Sequence, residues 1–149
     1  MKLRRASAEE AAGLTMMHRA VFENAWGEAE IADLLASPGG FALIADSNGP
    51  AGFILCRAIG GEAEILTLAV AAPARRLGFG LALVKEATRL AAQANAQAIF
   101  LEVAQDNEAA IALYETAGFD RAGLRPGYYR REGETIDALV MRRALNSDN

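Results

Sequence analysis

The run Arg75-Arg76-Leu77-Gly78-Phe79-Gly80, near the middle of the chain, has the composition of an anion cradle. Glycines let a backbone turn sharply and aim bare N–H groups at one point, and a helix that starts there adds the positive end of its dipole. Such a turn can hold a pyrophosphate without net positive charge, which suits a chain whose formal charge is −4. A Gly-x-Gly also opens many helices for packing reasons alone, so the motif by itself leaves both readings open. Two other phosphate-binding patterns are excluded. Leu81-Ala82-Leu83 supplies no third glycine for a dinucleotide fingerprint, and no Gly-Lys-Ser/Thr follows to make a Walker A loop. Downstream, Glu102 stands in the otherwise apolar run AIFLEV, where a carboxylate can accept a proton; the alternative is a solvated position on the outer face of a strand.

Other chemistries lack material. Cys56 is the only cysteine and lies in an apolar run, so it is expected in the core, with no disulfide and no cysteine-based metal cluster. His18 is the only histidine and has no Cys, Asp or Glu at ligand spacing, which removes a Ser/His/Asp triad and a zinc site. No metal is expected.

The elements that must position these residues follow from periodicity. Residues 1–6 read as an edge strand, and Ser7 with Glu10 has capping-box spacing for a helix running to about Phe22. A second short helix covers residues 27–35 and stops at Ser37-Pro38-Gly39-Gly40. Strands at 41–45 and 51–59 flank the turn Asp46-Ser47-Asn48-Gly49-Pro50, and 64–70 (EILTLAV) is a third strand. Apolar residues then return at helical spacing over 78–95, with Leu81, Val84, Thr88 and Ala91 beside Leu83, Ala87, Leu90 and Ala94. A strand at 98–103, a helix at 107–117 closed by Gly118, and strands at 119–125 and 135–145 complete the order. This pattern predicts an α/β sheet, antiparallel at first, with one parallel pair where the long helix crosses from 64–70 to 98–103.

The chain has 149 residues, of which 52% are hydrophobic and 23% charged, and this suits one globular domain with its own core. That domain is expected over residues 1–145, with 146–149 as a short disordered tail. No basic leader with a long apolar stretch and no membrane-length apolar run is present, so the expected compartment is the cytoplasm and no membrane partner is expected. The acidic balance disfavours nucleic acid as a partner.

Two motifs together carry a family resemblance. Arg75 to Gly80 matches the pattern Arg/Gln-x-x-Gly-x-Gly/Ala, and Asn107-Glu108-Ala109-Ala110-Ile111-Ala112-Leu113-Tyr114-Glu115-Thr116-Ala117-Gly118-Phe119 is close to Asn-x-x-Ala-x-x-Leu-Tyr-x-x-x-Gly-Phe. On these the chain resembles the GNAT superfamily of N-acetyltransferases over nearly its whole length. The resemblance implies a single-domain GNAT fold: a mixed, mostly antiparallel, splayed sheet of six or seven strands flanked by about four helices. It implies acetyl-CoA as acetyl donor, with pantetheine between the diverging strands 64–70 and 98–103. Leu68, Ala69 and Val70 would lie along the pantetheine, and Arg75, Arg76, Leu77, Gly78, Phe79, Gly80 and Leu81 at the pyrophosphate. Asn107, which caps its helix under either reading, would add a polar contact to the coenzyme.

Acetyl transfer from a thioester needs a neutral amine, a polarised carbonyl and a stabilised thiolate. An α-amine with a pKa of about 8 needs little help at neutral pH, whereas a lysine at about 10.4 needs far more. Further features resemble the RimI-type ribosomal-protein alanine N-acetyltransferases: Trp26 followed by Glu28, the strand 64–70, Leu101-Glu102-Val103, and Arg125-x-x-Tyr128-Tyr129 with Asp137-Ala138-Leu139-Val140-Met141. By that resemblance Glu102 is the general base and Tyr114 the general acid. A phenol is less acidic than an ordinary thiol, so a hydrogen bond to the leaving sulfur is the larger part of the Tyr114 role. Trp26, Glu102, Tyr128, Tyr129 and Asp137 would contact the acceptor, a protein N-terminus such as that of a ribosomal protein. The chain departs from the family in having Ala25-Trp26-Gly27 where Pro-Trp-Ser is usual, and its loop Arg130-Arg131-Glu132-Gly133-Glu134 is not distinctive. Two other readings stay open, a GNAT enzyme acting on a small amine and a noncatalytic acyl-CoA-binding module. A monomer or weak homodimer is expected.

Overall fold

The computed structural model describes residues 1–22, 25–75 and 77–145. Strand β1 (Lys2–Arg5) leads through a 3-10 turn at Ala8–Glu10 into helix α1 (Ala11–Arg19), followed by α2 (Glu28–Ala36), β2 (Gly40–Asp46), β3 (Pro50–Ile59) and β4 (Glu62–Val70). Helix α3 (Phe79–Gln93), β5 (Ala98–Ala104), α4 (Glu108–Thr116), β6 (Asp120–Arg131) and β7 (Glu134–Ala144) complete the chain. The expected Ser7/Glu10 pairing is present, with the Ser7 N–H donating to the Glu10 carboxylate at 2.8 Å. Helix α1 stops at Arg19 rather than Phe22, and the Val21 amide turns back only three residues, to the His18 carbonyl at 3.0 Å.

The seven strands form one sheet in the order β1-β2-β3-β4-β5-β7-β6, antiparallel except for β4 and β5. Parallel pairing of β4 with β5 covers only Glu62↔Ala98 to Ile65↔Leu101, although β4 runs on to Val70 and β5 to Ala104. Beyond Ile65 and Leu101 the strands part, so the expected splay is present. A bulge in β4 lies at the same place: Cys56 pairs with Ile65 and Leu55 with Thr67, leaving Leu66 as the extra residue.

Two apolar clusters pack on opposite faces of the sheet. Leu83, Val84, Ala87 and Ala91 of α3 pack with Ile54, Cys56, Ile65, Ile99, Leu101 and Met141. This is the amphipathic stripe read from the sequence, and each large side chain buried in it contributes about 1.5–3 kcal/mol. On the other face, Ala11, Leu14 and Ile31 of α1 and α2 pack on Ala42, Ile44, Phe53, Leu55 and Ala69. That second cluster draws on β2 to β4 and, among the described residues, contains none of β5, β6 or β7. The corresponding face of β5, carrying Phe100 and Glu102, borders an open groove instead.

The C-terminal hairpin departs from expectation. Arg125-Pro126-Gly127 reads as a strand end, yet β6 continues to Arg131, and the irregularity is absorbed as a register shift between Arg125 and Tyr129. Gly127 takes a positive φ of 61° there. The turn to β7 is the two-residue Glu132-Gly133 at φ 51° and 80°, a conformation that matches the twist of a hairpin. Among the described residues no helix is long and apolar enough to cross a membrane. Residues 146–149, expected as a tail, lie outside the described residues.

Candidate active site

The glycine-bearing turn sits where the splay opens. Gly78 is the N-cap of α3 at φ 86°, a left-handed conformation that glycine adopts without a Cβ clash. The first intrahelical bond there runs from the Ala82 N–H to the Gly78 carbonyl at 3.1 Å. The amides of Phe79, Gly80 and Leu81 therefore precede the helix's own acceptors, and neither a capping side chain nor a first-turn acid competes for them. Leu77 is exposed, and Arg76 lies outside the described residues. Gly80 also serves packing: a Cβ there would stand 2.9 Å from Leu113 Cδ1 of α4, with methyl groups of Leu68 and Val70 at 3.8 Å. Gly78 thus makes the turn, and Gly80 allows the close approach of α3 to its neighbours.

The edge of β4 follows from hydrogen-bond parity. The Ala71 N–H donates to the Ala51 carbonyl at 2.8 Å, and the same register pairs Ala69 with Phe53. Alternate residues of an antiparallel strand turn their backbone groups to opposite edges, so Leu68 and Val70 present theirs to the gap that β5 has left. The Val70 carbonyl confirms this by accepting from Arg75 Nε at 3.2 Å. Ala69, expected beside them, has its backbone turned toward β3 and its side chain fully buried against α1 and α2.

Glu102 is the first residue of β5 past the paired stretch. Its side chain is 20% exposed, and Arg125 Nη1 lies 3.2 Å from each carboxylate oxygen. The Tyr129 hydroxyl donates to the Glu102 carbonyl at 3.3 Å. The groove in front of Glu102, about 570 Å³ in volume, is bordered also by Arg57, Glu62, Glu64, Phe100 and Val140. Burial and then the charge of Glu102 push the Glu64 carboxyl above its ordinary value, with Arg125 and Arg57 opposing. Glu64 and Arg125 were missed as site residues. The signal was present for Glu64, which alternates with apolar neighbours on one strand face as Glu102 does. Arg125 is brought in only by the β6–β7 pairing.

Tyr114 is buried in the main cluster, with its ring 5.8 Å from that of Phe119. Burial drives its hydroxyl far above the usual phenol range, and Cys56 and Tyr129 act on it in the same direction. Asn107 Oδ1 accepts from the Ala110 N–H at 3.2 Å, the capping role expected of it. Tyr128, 45% exposed, lies edge-on to Tyr129 at 4.9 Å and receives the Arg125 guanidinium over its ring at 4.2 Å. Asp137 borders a separate shallow pocket with Gln105, Asp106, Thr135 and Ile136, and its carboxylate accepts from the Gly127 N–H at 2.8 Å. Trp26 packs on the α1/α2 cluster, and its backbone N–H donates to His18 Nδ1 at 3.0 Å. Among the described residues no group of three or more His, Cys, Asp or Glu side chains could hold a metal ion.

A sequence model of the acetyltransferase (GNAT) family matches residues 11–119. The chain is 43% identical over 82 residues to the N-alpha-acetyltransferase RimI of Mycobacterium tuberculosis, a match covering 55% of this chain and 49% of that one. It is 34% identical over 91 residues to the [ribosomal protein bS18]-alanine N-acetyltransferase of Escherichia coli K12, covering 61% of this chain and 62% of that one. The chain thus spans about half to under two thirds of the length of these curated relatives. Its fold superposes on the crystal structure of the ribosomal-protein-S18-alanine N-acetyltransferase from Escherichia coli with a TM-score of 0.89, at 23% identity, over 97% of this chain and 94% of that one.

Proposed function

The chain belongs to the GNAT acetyltransferase family, and from that premise we propose that it moves the acetyl group of acetyl-CoA to the N-terminal α-amine of a protein, of the ribosomal-protein kind for which its Escherichia coli relative is named. The observation that carries this reading is the parting of β4 and β5 after Ile65 and Leu101. It leaves the backbone edge at Leu68 and Val70 next to the start of α3 and places Glu102 where the two strands part.

In this reading the amides of Phe79, Gly80 and Leu81, with Arg75, hold the pyrophosphate of the donor. Leu68 and Val70 pair with its pantetheine amides, the latter once Arg75 Nε releases the Val70 carbonyl. The acceptor amine enters along the groove on the opposite face, as a chain end that can lie between Glu62 and Glu102. Glu102 takes the ammonium proton, directly or through water, and the neutral nitrogen attacks the thioester carbonyl. A C–N bond forms and the C–S bond breaks; the sulfur leaves as a thiolate under a hydrogen bond from Tyr114 and takes up the proton that the nitrogen sheds on becoming an amide. Arg125 and the carbonyl-bound Tyr129 keep the Glu102 carboxylate and its strand in register with that attack.

Mass spectrometry decides the acceptor class. Peptides with a free N-terminal alanine are expected to gain one acetyl group from acetyl-CoA, ahead of lysine-bearing peptides with blocked N-termini and of polyamines; preference for a small amine overturns the peptide assignment. Glu102→Gln is expected to lower turnover by about 10²–10⁴-fold, most strongly at low pH where the amine is chiefly protonated, with acetyl-CoA affinity unchanged. Full turnover in that variant removes Glu102 as base.

A further inference from the structure

His18, the only histidine of the chain, is 3% exposed and carries a hydrogen bond at each ring nitrogen. Nδ1 accepts from the Trp26 backbone N–H at 3.0 Å, so the proton of the neutral ring belongs on Nε2, which lies 2.8 Å from the Thr67 hydroxyl. Helix α1 is thereby tied at one side chain to the segment that leads into α2 and to the bulge of β4. The place matters. Continuing the β4–β5 register by one step sets Leu66 opposite Glu102, and Thr67 is the next residue. Thr67 and Ala69 face the α1/α2 side of the sheet, the face on which Glu102 borders the groove.

We propose that His18 is a positioning residue that fastens the Trp26 segment to the β4 bulge, holding the acceptor-side wall of the opening in place. The proposal rests on the reading of that opening as the transferase site. A proton added at Nδ1 would put two donors face to face, and the tie to the Trp26 N–H would be lost. Around the ring stand Phe22 at 4.4 Å and Phe53 of β3 at 6.0 Å, with the Trp26 N–H and the Thr67 hydroxyl. None of these four is titratable, and no charged side chain among the described residues shifts His18; burial alone pulls its pKa below the ordinary histidine value. The fastening is therefore closed at neutral pH and opens only as pH falls below the ordinary histidine range.

The chain has one histidine and one tryptophan, so each gives a single signal. The His18 ring is followed by NMR and Trp26 by fluorescence as pH falls from about 8 to about 5. Both are expected to turn at one midpoint, below about 6.5, and the Trp26 signal of His18→Asn is expected to stay flat over that range. Thr67→Val and His18→Asn should raise the KM of a peptide acceptor on the order of tenfold, as for one lost hydrogen bond, with the Kd of acetyl-CoA within about twofold. A Trp26 signal that ignores the His18 titration, or equal losses of donor and acceptor affinity, overturns the proposal. The titration needs only the wild-type chain, so a variant that fails to fold leaves the test intact. Absence of acetyl transfer to any amine would remove the transferase reading while the spectroscopic coupling of His18 to Trp26 remained.

Discussion

Tyr114 and Thr15 show how burial sets the behaviour of single side chains. Burial raises the Tyr114 hydroxyl far above the usual phenol range, so its proton stays on through the neutral and mildly alkaline range. Tyr114→Phe is therefore expected to lower kcat by removing a hydrogen bond while leaving the shape of the pH–rate profile unchanged, which steady-state kinetics from about pH 6 to 9 would show. Thr15 is 5% exposed, and its hydroxyl is without a hydrogen-bond partner among the described residues. A buried hydroxyl left unsatisfied costs about 1–3 kcal/mol, so Thr15→Val, of similar shape, is expected to stabilise the fold by about 1 kcal/mol in urea unfolding. Gly78 carries the opposite cost. At φ 86° with open space around it, Gly78→Ala is expected to lose about 1–2 kcal/mol through the left-handed backbone alone and to weaken acetyl-CoA binding measured by calorimetry.

The elements themselves were largely legible, because their signals are local. The stripe of Leu83, Val84, Ala87 and Ala91 marked α3, the mostly apolar run EILTLAV marked β4, and Asn107 and Gly118 bracketed α4. Positions set by strand order were not. Arg125 reaches Glu102 across 23 residues of sequence only because β7 inserts between β5 and β6, and no local pattern encodes that. The edge to which Ala69 turns its backbone was not legible either, since membership of a strand does not say which edge a backbone amide faces. The β6–β7 hairpin was cut short because Pro126 and Gly127 look like a stop. The carboxylate of Asp137 holds the Gly127 amide instead. Asp137→Ala is expected to lower stability by about 1 kcal/mol in urea unfolding; a selective rise in the KM of a peptide acceptor beside that loss would add the acceptor contact expected of Asp137.

Across the whole molecule, acid acts first through His18. Its folded pKa lies below the unfolded value, so its contribution is complete above about pH 6.5 and declines as pH falls through that value toward the folded pKa. Glu10, lowered by the Ser7 amide and then by Arg4, loses stability in the same direction but in the carboxylate range, whereas the raised Glu64 runs the other way. Urea midpoints are expected to fall between pH 7 and pH 5.5, and less so in His18→Asn. The parting of β4 and β5 has a mechanical side as well. Among the described residues four strand pairings, Glu62↔Ala98 to Ile65↔Leu101, join the β1–β4 half of the sheet to the β5–β7 half, and α3 packs across both. Such a molecule resembles two leaves bound along a short spine. A backbone cut at Asn95 would leave a piece holding the Gly78 turn and another holding Glu102 and Tyr114. Neither could work alone, and a ligand lying between the leaves would act as the clasp that draws them back into one enzyme.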